Sequence, residues 1–469
     1  MFELGRELMR LFAGDRAWSE KAWGDRVRPF VDGLTGGDPT LLELLDLNLL
    51  KQEAKAADVA AGRIGAQDRA QRRLDAAVVW REVARRSGDA VALRKAAAAA
   101  ETACAAFDPH RRPDAWARAR CEQGFSVLLG AELFGDPGLD AAAATTFREA
   151  RAVARGGLAA PLADIGIAVV EGRAELAKGD AAAAWAAIAR FNAPIAALDA
   201  MTRRSPAARP LAAEARLIRA DLLCGWGARL KDEALLRAAI DDAQAAADRL
   251  DLAYEPLTWA RAEILRGQAL ALWGEAAGDI DAVAAGATTL AGALDHISRD
   301  HSPLDWARTQ NALAHAQQSL GEASADERAY EQAVTCYDRA NLVLKDAPAT
   351  PLRGLAAGER AMCLARSAEL TGDLAVLDTA EAALKIELAG LQPRRDPVAW
   401  ALVQLHLARL YEARIDITGK DHGERAAAVM ALDAALDVFG EQGMRSLTIM
   451  ATEGLERLRT GPAARRTAV

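Results

Sequence analysis

The clearest pattern of apolar and polar positions in the chain lies in Pro303–Lys345. Trp306, Leu313 and Leu320 recur every seven residues, with alanines between them, so one face of a helix is apolar. The proline that opens the stretch suits the first turn of a helix, where a missing N–H costs nothing. Gly321 follows directly and is expected to end the helix as a left-handed cap.

A second helix is predicted after the polar loop that follows. Its inner face carries Ala333, Tyr337 and Ala340, a large residue between two small ones. Two amphipathic helices joined by a short loop pack antiparallel, but a lone pair cannot bury its outer apolar faces. The pair is therefore expected to stack against similar neighbours.

Imperfect copies of this pair recur along the chain. A proline opens each of seven copies: Pro113, Pro161, Pro210, Pro256, Pro303, Pro351 and Pro397. Subtracting successive positions gives intervals of 48, 49, 46, 47, 48 and 46 residues. A further copy without the proline begins near Gly65. Three copies share the pattern Pro-x-x-Trp-Ala-Arg, and the copy at Pro397 keeps all of it but the arginine.

The second helix of the pair also recurs. Its small–large–small spacing appears as Ala143/Phe147/Ala150, and more weakly as Gly286/Leu290/Ala293, Ala382/Ile386/Ala389 and Ala427/Ala431/Ala434. Small residues let neighbouring helices approach closely, and the large residue fills the space between them.

A Gly-Asp dipeptide recurs between the two helices, as Gly88-Asp89, Gly135-Asp136, Gly179-Asp180, Gly278-Asp279 and Gly372-Asp373. Such pairs also occur in metal and phosphate loops. Their recurrence at the turn favours capping instead, because glycine ends one helix with positive φ and aspartate caps the next.

These patterns predict an all-α protein, an α-solenoid of about eight helix–turn–helix repeats with atypical helical caps. Residues 1–64 are expected to form the N-terminal helical cap and residues 65–440 the solenoid. Residues 441–469 would hold a C-terminal capping helix, Gly443–Arg459, and a polar tail. One unit departs from the pattern: its second helix is interrupted before Pro194, and an extra short helix, Ile195–Met201, is expected there.

The first residues leave two interpretations open. The stretch Phe2–Phe12 has an apolar face with two arginines beside it, which fits a membrane surface, but its two glutamates dilute that charge. A cap over the first repeat is favoured, because the terminal units of repeat arrays are atypical. A helix from about Thr40 to Ala61 is predicted after a glycine-rich break.

Composition narrows the class of protein. Hydrophobic residues make up 51% of the chain but aromatic residues only 5%, and much of the apolar content is alanine, the best helix former. The net charge of -8 and pI of about 5.5 provide no basic footprint for nucleic acid. The five cysteines include no Cys-x-x-Cys pair, so we expect buried reduced thiols. No transmembrane helix or signal peptide is predicted, and a cytoplasmic protein is expected.

The polar residues of the sequence form no recognisable motif for catalysis or metal binding. The six histidines form no HExxH pattern, and His296 and His301 lie five apart across an expected helix end. Gly419-Lys420 lacks the upstream glycine of a phosphate-binding loop, and Asp241-Asp242 lacks the third carboxylate of an aspartate-rich prenyl-transfer motif. No enzyme activity, catalytic residue, metal or cofactor is therefore predicted.

The repeat resembles a known family. The helix with Ala333, Tyr337 and Ala340 looks like the second helix of the tetratricopeptide repeat, and Leu313-Ala314 resembles the Leu-Gly pair of its first helix. The resemblance covers roughly residues 65–440. The period departs from the family, at about 47 residues against 34. The resemblance implies a solenoid whose first helices line a concave, protein-binding face.

The predicted function is a non-catalytic scaffold or adaptor that binds a protein or peptide in this concave groove. The candidate partner-binding residues are polar positions on the first helices: Arg118, Arg261, Arg308, Gln310, Asn311, Gln317 and Gln404. The repeated arginine could form a ladder for an acidic partner; alternatively, these arginines are solvated or pair with acids of the next unit. The tryptophans of the repeat are interpreted as core spacers.

Two other functions stay open at this point. One is a regulatory sensor whose solenoid closes on a small peptide or ligand and modulates a partner. The other, less favoured, is a helical enzyme with an unrecognised site. The oligomeric state is not predicted.

Overall fold

The computed structural model describes residues 39–63, 68–136, 138–176, 179–205, 207–347, 351–394, 397–441 and 445–460. These residues form helices and no strand. The predicted all-α fold is confirmed, whereas the predicted helix in Phe2–Phe12 lies outside the described residues.

The described chain begins with a short 3-10 helix, Pro39–Leu44, followed by α-helices. In chain order these are α1 Leu47–Gly62, α2 Arg69–Ser87, α3 Ala90–Ala106, α4 Pro113–Phe134, α5 Gly138–Val153, α6 Ala159–Leu176, α7 Ala181–Ala189, α8 Asn192–Met201, α9 Ala208–Leu230, α10 Glu233–Ala247, α11 Pro256–Ala277, α12 Ile280–Leu294, α13 Pro303–Ser324, α14 Glu327–Leu344, α15 Pro351–Thr371, α16 Leu374–Gly390, α17 Pro397–Thr418, α18 Glu424–Glu441 and α19 Arg445–Thr460. The helix predicted from Thr40 is two elements, because Asp46 caps a new helix through Leu49 N–H.

The described residues divide into two compact units. Unit 1 holds the residues from 39 to 309, with 347 and 351, and unit 2 holds 310–346 and those from 352 onward. In unit 1 most helices pack on the next in the chain, as α2 does on α3 and α11 on α12. The first helices also contact one another in the order α2, α4, α6, α9, α11, so they form an inner layer. Such paired layers are the tetratricopeptide-like arrangement that the sequence predicts.

In unit 2, helices α16 to α19 pack in the same sequential way. The last helix closes an apolar cluster with Ala451 and Leu458, both buried against Ala428 and Phe439. This packing is the one expected of a C-terminal capping helix, because its apolar face covers the preceding pair.

The predicted Gly-Asp caps are confirmed at three of the five turns. Gly88, Gly278 and Gly372 adopt left-handed φ values of 70°, 70° and 75° at the end of a first helix. The aspartate after each of them accepts a hydrogen bond from the first turn of the second helix. Lys231 and Ala325 take the same left-handed conformation at turns that lack the glycine.

Gly321 is not a cap, and that prediction is wrong. Helix α13 continues to Ser324, and the left-handed position is Ala325. A Cβ atom added at Gly321 would lie 3.1 Å from the ring of Tyr330 on the following helix. The glycine is therefore needed for close helix packing, which the sequence alone cannot separate from a helix end.

The small–large–small spacing of the second helices marks the core in the strong copies. Phe147 and Tyr337 are fully buried, and Phe147 fits against Gly124 and Gly166 of the flanking first helices. The weak copy around Ile386 is wrong, because this side chain is 75% exposed. In α16 the inward positions are instead Leu377, Ala380 and Leu384.

The irregular unit contains the extra helix that the sequence predicts. Helix α7 ends at Ala189, and α8 begins at Asn192, three residues before the predicted start. Ala181–Met201 is the one stretch of the described residues that is long and apolar enough to cross a membrane. It is two helices of 9 and 10 residues, each about 15 Å long, half the thickness of a bilayer core. Ile188, Phe191 and Leu198 instead bury themselves in the core of unit 1.

Two glycines of α12 allow the effect of helix packing on stability to be distinguished from the effect of helix propensity. A Cβ atom at buried Gly286 would lie 2.6 Å from Gly267 O and 2.7 Å from Ala271 N, whereas Gly292 has open space around it. We expect Gly286→Ala to lower the free energy of unfolding by about 1–3 kcal/mol through overpacking. Gly292→Ala should raise it by up to about 1 kcal/mol, because alanine favours helix. Denaturant titration measures both, and equal effects would contradict the close packing of α11 on α12.

Candidate functional site

The inner layer of unit 1 surrounds a polar cavity of about 60 Å³. Charged side chains of helices α2, α4, α9 and α11 line it: Arg81, Glu82, Arg85, Arg118, Glu214 and Arg261. The 3-10 helix Pro39–Leu44 also contacts both α2 and α11, and Leu42 and Glu43 reach the cavity. We call this space the arginine-lined cavity.

Ion pairs connect the helices around this cavity. Arg85 donates to Glu82 on its own helix at 2.8 Å and to Asp305 at the start of α13 at 2.7 Å. Arg85 and Asp305 are 220 residues apart in sequence and both buried. The repeats of unit 1 therefore turn far enough to bring the first inner helix to the start of α13.

The charges of this network hold its acids ionised. Burial disfavours the charged form of Asp305, but the guanidinium groups of Arg85, Arg261 and Arg308 outweigh it and lower its pKa to about 2. Glu82 is lowered too: burial opposes ionisation, and Arg85 and Arg86 overcome it, so the pKa lies well below its usual value.

A second cavity of about 220 Å³ lies beside this network, lined among others by Arg173, Asp221 and Gln268. Asp221 is exposed to the solvent of that space, yet the surrounding helices displace enough water to raise the pKa of its carboxyl. Glu132 adds to that rise, while Arg173 and Arg308 oppose it. The carboxyl therefore stays ionised less readily than a surface aspartate.

Residues Leu41–Leu47 lie against the inner layer in the manner of a bound peptide. Arg86 of α2, which has no exposed surface, donates from its two terminal nitrogens to Leu42 O at 2.9 Å and Leu45 O at 2.7 Å. His301 donates to the carbonyl of Glu43, and Leu47 N–H donates to Asp300 O at 3.2 Å. We call Leu41–Asp46 the docked segment.

The docked segment places one carboxylate at the start of α11. Glu43 Oε2 accepts from Leu257 N–H and Thr258 N–H, both at 2.8 Å, and Oε1 accepts from the Thr258 hydroxyl. These amides have no partner within their own helix, and Glu255, the cap residue of α11, makes no side-chain cap bond. Glu43 therefore does the work of a cap from 215 residues away.

Burial dominates the ionisation of Glu43. It raises the pKa of this carboxyl to about 7, although the hydrogen bonds from Thr258 lower it and thus oppose the rise. The nearby negative charge of Glu82 adds a smaller rise. Burial also lowers the pKa of His301, with the positive charge of Arg86 acting in the same direction.

Of the three predicted arginines, Arg118 and Arg261 lie on helices α4 and α11 of the inner layer, and Arg308 lies on α13. Arg118 and Arg261 both line the cavity. Arg261 donates to Glu214 of the preceding inner helix at 3.3 Å, and Arg308 pairs with Glu132 and with Asp305. Among the described residues, Arg118 has no hydrogen bond or salt bridge. Arg261 and Arg308 therefore pair with acids of other repeats, whereas Arg118 is unpaired among the described residues.

The predicted amides lie in unit 2. Gln310 is 3% exposed and Asn311 is buried, and each has a side-chain oxygen without a partner. Asn311 Nδ2 donates to Glu359 at 2.8 Å. Gln317 and Gln404 are half-buried. None of these four residues lines the arginine-lined cavity.

Other polar residues singled out in the sequence have structural partners. His296 packs edge-on against the Trp259 ring, whereas His301 holds the docked segment. All five cysteines are buried and free, as predicted, and burial raises the pKa of Cys121 and of Cys224 to about 12. Trp116 packs against two neighbouring apolar clusters, as expected of a spacer between units.

Sequence reasoning missed Glu43, Arg86 and Asp305. Only Glu43 carried a signal: it is one acid in the run Leu41–Leu45, which is otherwise leucine. An acid within an apolar run marks a carboxylate that must be buried with the leucines or leave with them. Nothing local to Arg86 or Asp305 indicates that they face distant parts of the chain.

Comparison with known proteins yields structural likeness only. No protein-family profile matches the chain, and no curated protein matches it. A Rap protein complexed with competence and sporulation factor has a TM-score of 0.47 at 12% identity, covering 87% of this chain and 98% of that one. The human IFIT1 dimer with PPP-AAAA has a TM-score of 0.38 at 13% identity, covering 93% of this chain and 95% of that one. The tetratricopeptide domain of P58(IPK) has a TM-score of 0.21 at 16% identity, covering 87% of this chain and 98% of that one.

These solved structures are tetratricopeptide-type repeat proteins. Since the TM-scores are below 0.5, these likenesses carry no argument, and the resemblance of this chain to tetratricopeptide repeats depends on its own helix pairs and caps. The comparisons do not confirm the period of about 47 residues, which stays a prediction.

The Arg85–Asp305 pair should be essential to unit 1. We expect Arg85→Ala to lower the free energy of unfolding by about 3 kcal/mol, because it removes the nearest cation from buried Asp305. The loss is at the low end for a broken buried pair, since Arg308 remains 3.7 Å from Asp305. Arg111→Ala removes a fully exposed pair with Asp108 and should cost about 0–1 kcal/mol. Urea titration followed by circular dichroism measures both; a small effect of Arg85→Ala would show that the pair does not hold α2 to α13.

Docking of the segment should weaken as the pH rises. Because the pKa of Glu43 is raised above its ordinary 4.5 to about 7, the docked carboxyl binds a proton more tightly than the free one. The stability that this proton provides is fully present below pH 4.5 and is lost as the pH rises through 7. The free energy of unfolding of the native chain relative to Glu43→Gln should fall by about 2 kcal/mol between pH 5 and pH 7. A pH-independent difference would mean that Glu43 is ionised throughout.

Proposed function

We propose that the chain is a non-catalytic scaffold or adaptor that binds an extended segment of another protein on the inner layer of unit 1. The binding surface comprises the arginine-lined cavity and the positions beside it that hold the docked segment. The observation that carries the proposal is the docked segment itself. It is held through two backbone carbonyls by Arg86 and through one carboxylate by the start of α11.

Those contacts are of the kind that any extended chain can provide. Backbone carbonyls are present in every peptide, and a carboxylate is the side chain that a helix N-terminus prefers. Arg118 adds a cation at the cavity that has no partner among the described residues. This supports a partner that is acidic near its binding motif. The rigid helix pairs around the site reduce the ordering cost of binding on the side of the scaffold.

A regulatory sensor is the second candidate, and one observation favours it. The docked segment bridges α2 and α11, so an incoming peptide would change contacts between repeats that are far apart in sequence. Such a change could be read by a second protein. A scaffold and a sensor share the same binding surface and differ in whether its occupation alters unit 1. We place either function in the cytoplasm.

A peptide-display experiment tests the binding function. Full-length protein is immobilised, dodecapeptides are selected on it, and the affinity of the best peptide is measured by fluorescence anisotropy. We expect acidic peptides, and we expect Arg118→Glu to weaken their binding at least about tenfold through charge repulsion at the site. Arg111→Glu is the matched control, because Arg111 is a fully exposed arginine outside the cavity.

Two outcomes would overturn this function. If no peptide is selected above background on the full-length protein or on its Glu43→Lys variant, which frees the positions of the docked segment, the inner layer is not a peptide-binding surface. If selected peptides bind Arg118→Glu and the native chain equally, they bind elsewhere, and the arginine-lined cavity is not the site.

A further inference from the structure

The docked segment has three anchors on unit 1, and each is well defined. Leu41 and Leu42 are 8% and 3% exposed, so both side chains are buried in the site. Glu43 is buried at the start of α11, where its carboxyl accepts hydrogen bonds from the two free amides of that helix. By contrast, the neighbouring Leu44 is 38% exposed. The site therefore selects two apolar side chains followed directly by an acid, and it leaves the next position free.

The rest of unit 1 is prepared for this occupant. Arg86 is fully buried, and both of its terminal nitrogens are directed at carbonyls of the segment. Without the segment, a buried guanidinium would lose two hydrogen bonds and the start of α11 would lose its cap. Such groups are costly to leave unpaired, so the site is stable only when it is filled.

We propose that Leu41–Asp46 is an internal occupant of a peptide site, and that the external ligand of this site is a protein segment with two apolar residues followed directly by an acidic one. The proposal rests on the proposed function, since it names the sequence class of the partner and the part of the chain that must leave when the partner binds.

The internal occupant competes strongly because it is tethered. It continues directly into α1 at Leu47, so its effective concentration at the site is in the millimolar range typical of short linkers. An external peptide binds only the fraction of molecules in which the segment is undocked, and its apparent affinity is reduced by that fraction. Removing the segment should therefore raise the affinity for an external ligand without any new contact.

A synthetic peptide with the sequence of residues 39–46, Pro-Thr-Leu-Leu-Glu-Leu-Leu-Asp, tests the site directly. It is labelled with a fluorophore and titrated with full-length protein and with a chain lacking residues 1–45. This truncation keeps Asp46, which caps α1. We expect the peptide to bind the truncated chain at least about tenfold more tightly than the full-length chain.

Variants of this peptide show which of its side chains the site requires for binding. Replacing the glutamate at position 43 with lysine should abolish binding, because a cation then meets the positive end of α11. Replacing the leucine at position 42 with aspartate should do the same, because this side chain is buried and a carboxylate in its place is costly to desolvate. Replacing the leucine at position 44 with alanine is the matched control and should leave the affinity unchanged, since that side chain is exposed.

A full-length variant guards against a truncated chain that does not fold. Glu43→Lys in the complete protein should undock the segment and raise the affinity for the native peptide at least about tenfold, whereas Leu44→Ala should not change it. Circular dichroism and thermal melting establish that each protein is folded before titration. If the folded Glu43→Lys protein binds the peptide no better than the native chain, the internal occupant does not compete and the proposal is wrong.

The experiment separates this inference from the proposed function. If displayed peptides bind the inner layer but the peptide of residues 39–46 binds neither the truncated chain nor the Glu43→Lys protein, the scaffold function stands and the internal-occupant inference is overturned. If the peptide binds these two proteins only as tightly as it binds the native full-length chain, the segment is not an occupant of the site. If neither the peptide nor displayed sequences bind, both proposals fail.

Discussion

The structure depends on one constraint: a pair of amphipathic helices has more apolar surface than it can bury by itself. Each pair in unit 1 covers that surface with the next pair, and the large residue of the second helix, such as Phe147, is fully buried between glycines of the flanking first helices. Close packing of this kind permits little adjustment, so each repeat sets the position of the next. The rotation between successive pairs accumulates until α2 meets the start of α13.

The accumulated rotation explains why charges gather on the inner layer. The first helices approach one another there, and their polar faces are directed at a narrow space rather than at bulk water. Arginine and carboxylate groups from different repeats consequently pair, as in Arg261 with Glu214 and Arg85 with Asp305. Pairing is needed because an isolated buried charge is far more costly than a pair with good hydrogen bonds. Arg118 has no such partner among the described residues, which is why we propose it as a cation that meets a ligand.

The docked segment extends the same logic to the beginning of the described chain. It supplies what the inner layer lacks: a carboxylate for the start of α11 and carbonyls for the guanidinium of Arg86. An internal segment that satisfies these groups makes the site stable, and it also makes the site selective. Binding and stability are therefore linked in unit 1, because the groups that recognise a ligand are those that cannot remain unsatisfied.

The sequence by itself determined the helix pairs, their capping turns and their repetition, because these depend on interactions within a few residues or on apolar periodicity along one helix. It also indicated the buried thiols and the extra helix of the irregular unit. The same local information misplaced Gly321 and Ile386, where packing against a neighbour decides between two local readings. Only the tertiary structure decided which polar groups meet. Glu43 reaches Thr258 and Arg85 reaches Asp305 across more than 200 residues, through rotations between repeats that no short stretch of sequence encodes.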